Sequence, residues 1–286
     1  CVPLELAGNA ITSHPSGYFP DCYSPFGNNV RFQFLNTGVN SISSVSVSYQ
    51  LGNGSIQTEM FNGNVASGKF GEHTFSTSIS ILTAGNYTLK AWVNASDSDV
   101  SNDTATSEIT IYNGGTAAYP YAETFDGFSN CSNSSNCNTN VCALNNNFYN
   151  VPFGNQKGDD ADWLTDNGKT PTGNGYATGP TNDHNLGTSS GKFLYTETST
   201  GNGCQGGSVY ALSPCIDLST ATKPELSFWY HMYGSSTGSI GVDVLVDGVW
   251  TEVFTKSGEQ GNAWIQGTAN LSPYVGKTVV FRFRAL

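Results

Sequence analysis

Between Glu225 and Trp250 the chain alternates with a period of two: Phe228, Tyr230 and Met232 interleave with Trp229, His231 and Tyr233, and Val242, Val244 and Val246 with Asp243, Leu245 and Asp247. That is the period of a β-strand, whose successive side chains point to opposite faces, so two strands are predicted here. Asp247-Gly248 then predicts a tight hairpin turn, because glycine tolerates the positive φ that such turns require. The same alternation recurs at Val30, Phe32 and Phe34, at Val45, Val47, Tyr49 and Leu51, at Tyr87, Leu89, Ala91 and Val93, and at Ile109 and Ile111. Asn36-Thr37-Gly38, Gly52-Asn53-Gly54, Asn62-Gly63-Asn64 and Ala84-Gly85-Asn86 read as the turns between these segments. Short strands with polar turns at regular spacing predict an all-β chain that opens with a two-sheet antiparallel sandwich.

A length of 286 residues exceeds the usual single core, so two domains are expected. The flexible, polar Asn113-Gly114-Gly115-Thr116 places the boundary, giving domains at 1–114 and 115–286. Only 12% of residues are charged, yet the net charge is -11. A diffuse negative field disfavours nucleic acid and anionic membrane surfaces, and suits a secreted protein or one that holds cations. No stretch approaches the roughly 18 apolar residues of a membrane span. The chain opens at Cys1-Val2-Pro3 with neither an initiator Met nor a signal peptide, and is expected to be a piece of a longer protein.

Seven cysteines, Cys1, Cys22, Cys131, Cys137, Cys142, Cys204 and Cys215, read as disulfides formed in an oxidising compartment. No C-x-x-C pair suggests zinc. The odd count leaves at least one cysteine free or paired outside the chain. The Asn/Ser/Cys-rich run from Cys131 to Asn150 has a composition that needs cross-links or an ion to hold a shape.

Two resemblances follow from particular segments. VRFQFLNTGVNSISSVSVSYQLGNG and TAGNYTLKAWVNASDSDVSNDT resemble the CARDB-like, immunoglobulin-type modules of large bacterial surface proteins, which implies a spacer or adhesion role. AETFDGF, DADWLTDNG, GPTNDHNLGTSSGKFLYTETS, GSVYALSPCIDLS, LSFWYHMYG, GVDVLVDG and VVFRFRA, in this order, resemble the MAM family as it occurs in secreted, Bacteroidota-type surface adhesins. From about residue 119 onward the second resemblance implies a jelly-roll β-sandwich for recognition rather than catalysis. Family members continue past the FRFRA-like strand into a segment with paired aspartates, whereas this chain stops at Leu286. An unpaired sheet edge is therefore expected.

No catalytic signature is present. His14, His73, His184 and His231 lie far apart in sequence, and neither an H-E-x-x-H pair, a G-x-S-x-G elbow nor a phosphate-binding loop occurs. Acidic, Asn/Gly-rich loops do offer oxygen ligands to Ca²⁺. The clusters are Gly158-Asp159-Asp160-Ala161-Asp162 and Asn182-Asp183-His184-Asn185, with Phe125-Asp126 in a preceding strand. The MAM resemblance implies a structural cation at Asp126 and Asp183. Trp163, Tyr176 and Tyr195 are candidate ligand-binding rings, and Tyr233, Trp250 and Trp264 belong with them as possible sugar platforms. Against this, aromatics dominate β-sandwich cores, and Phe228, Trp229 and Tyr230 cannot all point inward. The expected function is the adhesive or recognition part of a large secreted or cell-surface protein, extracellular, meeting a protein, a glycan or neighbouring modules. The alternatives are a carbohydrate-binding accessory region of a secreted hydrolase and a structural spacer of a surface filament.

Overall fold

The computed structural model describes residues 3–22, 29–131, 141–152, 159–168, 170, 178–197, 206–246 and 248–286. It divides into two compact units, Cys1–Tyr112 and Asn113–Leu286. The described residues form strands, with one 3-10 turn at Ser272–Tyr274 and no α-helix.

Unit 1 contains β1 (Leu6–Ile11), β2 (Gly17–Pro20), β3 (Asn29–Asn36), β4 (Ile42–Leu51), β5 (Gln57–Val65), β6 (Phe70–Ser78), β7 (Gly85–Val93) and β8 (Thr104–Tyr112). One sheet runs β1-β3-β6 and the other β2-β8-β7-β4-β5. Neighbours are antiparallel except β2 and β8. Alternation along β3 turns Val30, Phe32 and Phe34 into the core, fully buried, and leaves Asn29 and Arg31 exposed. They meet Tyr49, Phe75 and Leu89 in one cluster, where the Tyr49 and Phe75 rings pack edge to face at 4.7 Å. Each such side chain contributes about 1.5–3 kcal/mol by leaving water.

Asn62-Gly63-Asn64 is not a turn: it lies inside β5. A register shift between Ile42 and Ser44, opposite Val65 and Asn62, absorbs the glycine within the ladder.

Unit 2 contains β9 (Thr116–Ala118), β10 (Tyr149–Asn150), β11 (Leu164–Asn167), β12 (Lys192–Tyr195), β13 (Val209–Leu212), β14 (Cys215–Asp217), β15 (Glu225–Met232), β16 (Ser239–Val246), β17 (Val249–Ser257), β18 (Gly261–Asn270) and β19 (Thr278–Ala285). The large sheet runs β10-β13-β19-β14-β9, with β16 also on β19 and β17 on β16. β11-β12 and β15-β18 form two separate ribbons. The hairpin at Gly248, φ 81°, joins β16 to β17 with Val246 opposite Val249. The two strands of the opening alternation do not pair with each other. The Gly/Ser/Thr stretch 234–238 instead carries the chain from the β15-β18 ribbon to the large sheet, where Val242 and Val244 join Ile216, Leu218, Val279 and Phe281 in the core. β19 is flanked on both sides, by β13 and β14 and by β16, so the FRFRA strand is an inner strand of the large sheet.

Asp243 is 3% exposed on this sheet. It lies opposite Arg282, with Arg284 two residues along on the same face. Asp243 Oδ2 accepts from Arg282 Nε at 2.9 Å and from Arg284 Nε at 2.8 Å, and Arg284 also pairs with Glu252. The Arg282 guanidinium lies over Trp250 and Tyr210, 4.4 and 4.9 Å from their ring centroids. Removing one partner of such a group leaves charge out of water without compensation. Asp243→Ala is expected to cost about 3–5 kcal/mol in urea unfolding, and Asp243→Asn less. A loss under about 1 kcal/mol for the alanine variant would show that the clamp does not hold the sheet.

Candidate functional site

A concave cavity of about 720 Å³ opens in unit 2. Residues 119–125, β12 and β15 contribute to its wall. Alternation along β15 buries Tyr230 and Met232 and exposes Trp229. Four exposed rings line the same cavity: Tyr119 (36%), Tyr121 (37%), Trp229 (42%) and Tyr233 (38%). The segment 182–191 packs here. The His184 ring stacks on Trp229 with centroids 3.6 Å apart, and Trp264 Nε1 donates to the Asn182 carbonyl at 2.9 Å.

Asp126 and Asp183 both organise that segment. Asp183 is 3% exposed, and its Oδ2 accepts from Leu186 N at 2.6 Å and its Oδ1 from Thr188 N at 3.1 Å. Gly191 is required beside it, because a Cβ there would lie 2.1 Å from the Asp183 carboxyl carbon. Asp126 accepts from Asn185 Nδ2 at 2.9 Å and from Lys192 N at 3.2 Å. Partial burial works against the Asp126 charge. Hydrogen bonds from the Lys192 N–H and the Thr124 and Asn185 side chains, with the Lys192 charge, outweigh it and hold the carboxyl below its usual range. Every carboxylate oxygen of the pair therefore has an N–H donor, and the nearby positive charge is an ammonium. These residues fit a role as acceptors that order a loop, and the pair leaves no orphaned oxygen to mark a cation site. Phe125-Asp126 is also not in a strand. Phe125 has φ 64°, and Phe128 N donates to Phe125 O at 2.9 Å, which makes the segment a turn.

Of the rings singled out as ligand contacts, Trp163 (7% exposed) and Tyr195 (8%) are buried, although both reach the cavity wall. Trp163 Nε1 donates to Val209 O at 3.3 Å, and Tyr195 packs with Leu164, Phe193 and Cys142. Tyr176 lies outside the described residues. Trp250 sits under Arg282 and Trp264 against Phe193. The exposed rings Tyr119 and Tyr121 were missed, since their neighbours carry no alternation to mark them. The histidines do not form a common centre: His73 pairs with Glu59, His231 with Asn262, and His14 with Ser13.

Cys131 and Cys142 form a disulfide with their Cα atoms 5.4 Å apart, closing the Asn/Ser-rich run. Cys22 in unit 1 and Cys215 in unit 2 each belong to a separate disulfide. Cys1, Cys137 and Cys204 lie outside the described residues.

The Asp159-Asp160-Ala161-Asp162 cluster packs against β13 and the disulfide. Tyr210 N donates to Asp159 and Cys142 N donates to Asp162 Oδ2 at 2.7 Å. Asp160 Oδ2 accepts from Ser208 N at 2.7 Å. Burial pushes the Asp159 carboxyl up to about 8 against the Tyr210 N–H, and the Asp162 and Asp160 charges add to the rise. A carboxyl whose folded pKa lies above its unfolded one binds its proton more tightly when folded. The resulting stability is full below about 4 and is lost as pH rises through about 8. The melting temperature is expected to fall between about pH 6 and 8, and Asp159→Asn to remove most of that slope. An equal slope in the variant would assign the pH dependence elsewhere.

Comparison with known proteins adds the family. The chain is 31% identical over 122 residues to thyroid hormone-induced protein B of Xenopus laevis, covering 42% of this chain and 17% of that protein. It is 36% identical over 127 residues to neuropilin-1a of Danio rerio, covering 40% and 12%. It is 33% identical over 125 residues to MAM domain-containing glycosylphosphatidylinositol anchor protein 1 of Gallus gallus, covering 42% and 13%. The chain thus spans less than a fifth of the length of these relatives. Among solved structures, the CARDB domain of the PF1109 protein from Pyrococcus furiosus, in complex with di-metal ions, matches 40% of this chain and 94% of that one, at 15% identity and a TM-score of 0.27. A TM-score of this size establishes no common fold. Residues 140–285 match the MAM domain, meprin/A5/mu, over half of the chain, and the chain belongs to the MAM domain family.

Proposed function

We propose that this chain is the recognition portion of a large secreted or cell-surface bacterial protein, and that unit 2 meets its partner across the aromatic rim of the cavity. The MAM domain is a non-catalytic adhesion and interaction module, and with disulfides it points to extracellular proteins. The observation that carries the reading is the exposure of Tyr121, Trp229 and Tyr233 around one concave surface. Rigid rings with a polar edge supply large contact area at small entropic cost, which is why Trp and Tyr dominate binding hot spots. The segment 182–191 is fixed beforehand by Asp126 and Asp183, so less ordering remains to be done when the partner arrives. The partner is a protein or a glycan. A glycan is the second reading, because apolar sugar faces stack on exposed rings.

Two measurements bear on this. Trp229→Ala and Tyr233→Ala in the full chain are expected to keep the melting temperature within a few degrees. Each is expected to weaken binding to a glycan array or to immobilised extracellular proteins by about tenfold or more. Binding equal to the unsubstituted chain in both variants would move weight to the spacer reading. Asp183→Ala removes the acceptor of two backbone N–H groups and is expected to cost about 2 kcal/mol, with faster amide exchange at Leu186 and Thr188. Unchanged exchange at those two amides would show that the carboxylate does not hold the loop.

A further inference from the structure

At one end of unit 1, Glu5, Asp97, Asp99, Asn102 and Asp103 come together. β1 reaches this place because Gly8 lies flat against the start of β8: Gly8 N donates to Asn102 O at 2.9 Å, and a Cβ on Gly8 would meet the Asp103 carbonyl oxygen at 2.3 Å. Leu6 N donates to Asp97 Oδ2 at 2.9 Å, which ties the strand to the segment after β7. Asn102 Nδ2 reaches both Glu5 Oε1 and Asp99 Oδ2 at 3.4 Å. Glu5 and Asp99 also take N–H groups, from Ser98 at 3.3 Å and Ser101 at 3.1 Å.

Three oxygens in the same knot have no donor. Asp97 Oδ1, Asn102 Oδ1 and Asp103 Oδ1 are each buried and without a hydrogen-bond partner, and Asp103 as a whole is only 5% exposed. A buried acceptor left unpaired is costly, and two carboxylates and an amide in one cluster form an acceptor-only set that a single cation satisfies together. The charges that act on Asp103 are all carboxylates, from Asp97, Glu5 and Asp99.

We propose that Asp97, Asn102 and Asp103 form a binding site for a hard divalent cation, Ca²⁺, in unit 1, with Glu5 and Asp99 adding negative charge around it. Carboxylate and amide oxygens are the ligands that Ca²⁺ takes, and water completes its shell of six to eight. No group of three or more His, Cys, Asp and Glu side chains is disposed to hold a metal among the described residues. The proposed donor set has two carboxylates and an amide, which lies outside that grouping. Without the ion, burial first and then repulsion from Asp97, Glu5 and Asp99 raise the Asp103 carboxyl to about 6. All three donors lie in the connection between β7 and β8, so the bound ion fixes that connection, against which Leu6 N and Gly8 N already hold β1.

The test is thermal unfolding and isothermal titration of the full chain with CaCl₂ at about pH 7.5, beside the same protein in a chelator. The expected result is a rise of roughly 5 °C in about 10 mM CaCl₂, at a Kd in the range of about 10⁻⁴–10⁻³ M found in extracellular modules. Asp103→Asn should lose the CaCl₂ response and, in chelator, melt at or above the temperature of the unsubstituted chain, because it relieves a buried charge without removing an oxygen. Asp97→Asn, which keeps the acceptor for Leu6 N, should lose the response as well. Asp183→Asn should keep it. No heat and no shift with CaCl₂ would overturn the proposal. So would a full response in Asp103→Asn and Asp97→Asn, or its loss in Asp183→Asn alone, which would place the ion in unit 2.

Discussion

Strand β19 is the constraint on which unit 2 depends. It pairs with β13, β14 and β16, so three segments of the large sheet take their register from it. A two-residue side-chain period means that a one-residue slip would turn every side chain of a strand to the wrong face. Here the wrong face would carry Arg282 and Arg284 into the apolar layer of Val242, Val244 and Phe281. Asp243 prevents that slip from the other side, since it is buried and satisfied only when both guanidiniums lie on its face. The ion pair adds less to net stability than its geometry suggests, because three charged groups leave water to make it. What it contributes is the choice of one register over its neighbours.

Acidic side chains in this chain fall into two kinds, and the difference is the supply of N–H donors. Asp126, Asp160, Asp162 and Asp183 sit where backbone amides point at them: Asp183 shapes a turn around itself, and the other three pin segments distant in sequence. Asp97 and Asp103 each keep one buried oxygen without a donor, although Leu6 N reaches the other oxygen of Asp97. Both kinds look alike as strings of Asp, Asn and Gly.

That limit explains what the sequence made legible. Strands with long apolar alternation, such as β3, β4, β7 and β15, are marked by their own residues, because burial on one face must repeat every second position. β5 and β6 were not marked: QTEMFNGNV and FGEHTFSTS place polar residues on both faces, and their pairing is decided by neighbours across the sheet. The rings Trp163 and Tyr195 illustrate the same point for the site. Their residue type suits either a core or a binding surface, and only their exposure of 7% and 8% separates the two. The order of the MAM segments identified the family, since it reflects a stretch of about half the chain rather than any one contact.

The position of β19 in the chain order has a consequence for how the molecule is made. All three of its partners precede it, and the nearest, β16, ends more than a hairpin and a ribbon strand earlier. A ribosome therefore releases β13, β14 and β16 with their central ladder positions vacant, and these must wait while β17 and β18 emerge. Contacts so far apart in sequence close slowly, and waiting strand edges are adhesive to other chains. Unit 1, whose longest pairing joins Gly17 to Ile109, has all its strands before any of unit 2 has been synthesised. The period of greatest exposure to aggregation during biogenesis is thus the interval between the arrival of β16 and that of β19, in which a chaperone or the secretion machinery has most to protect.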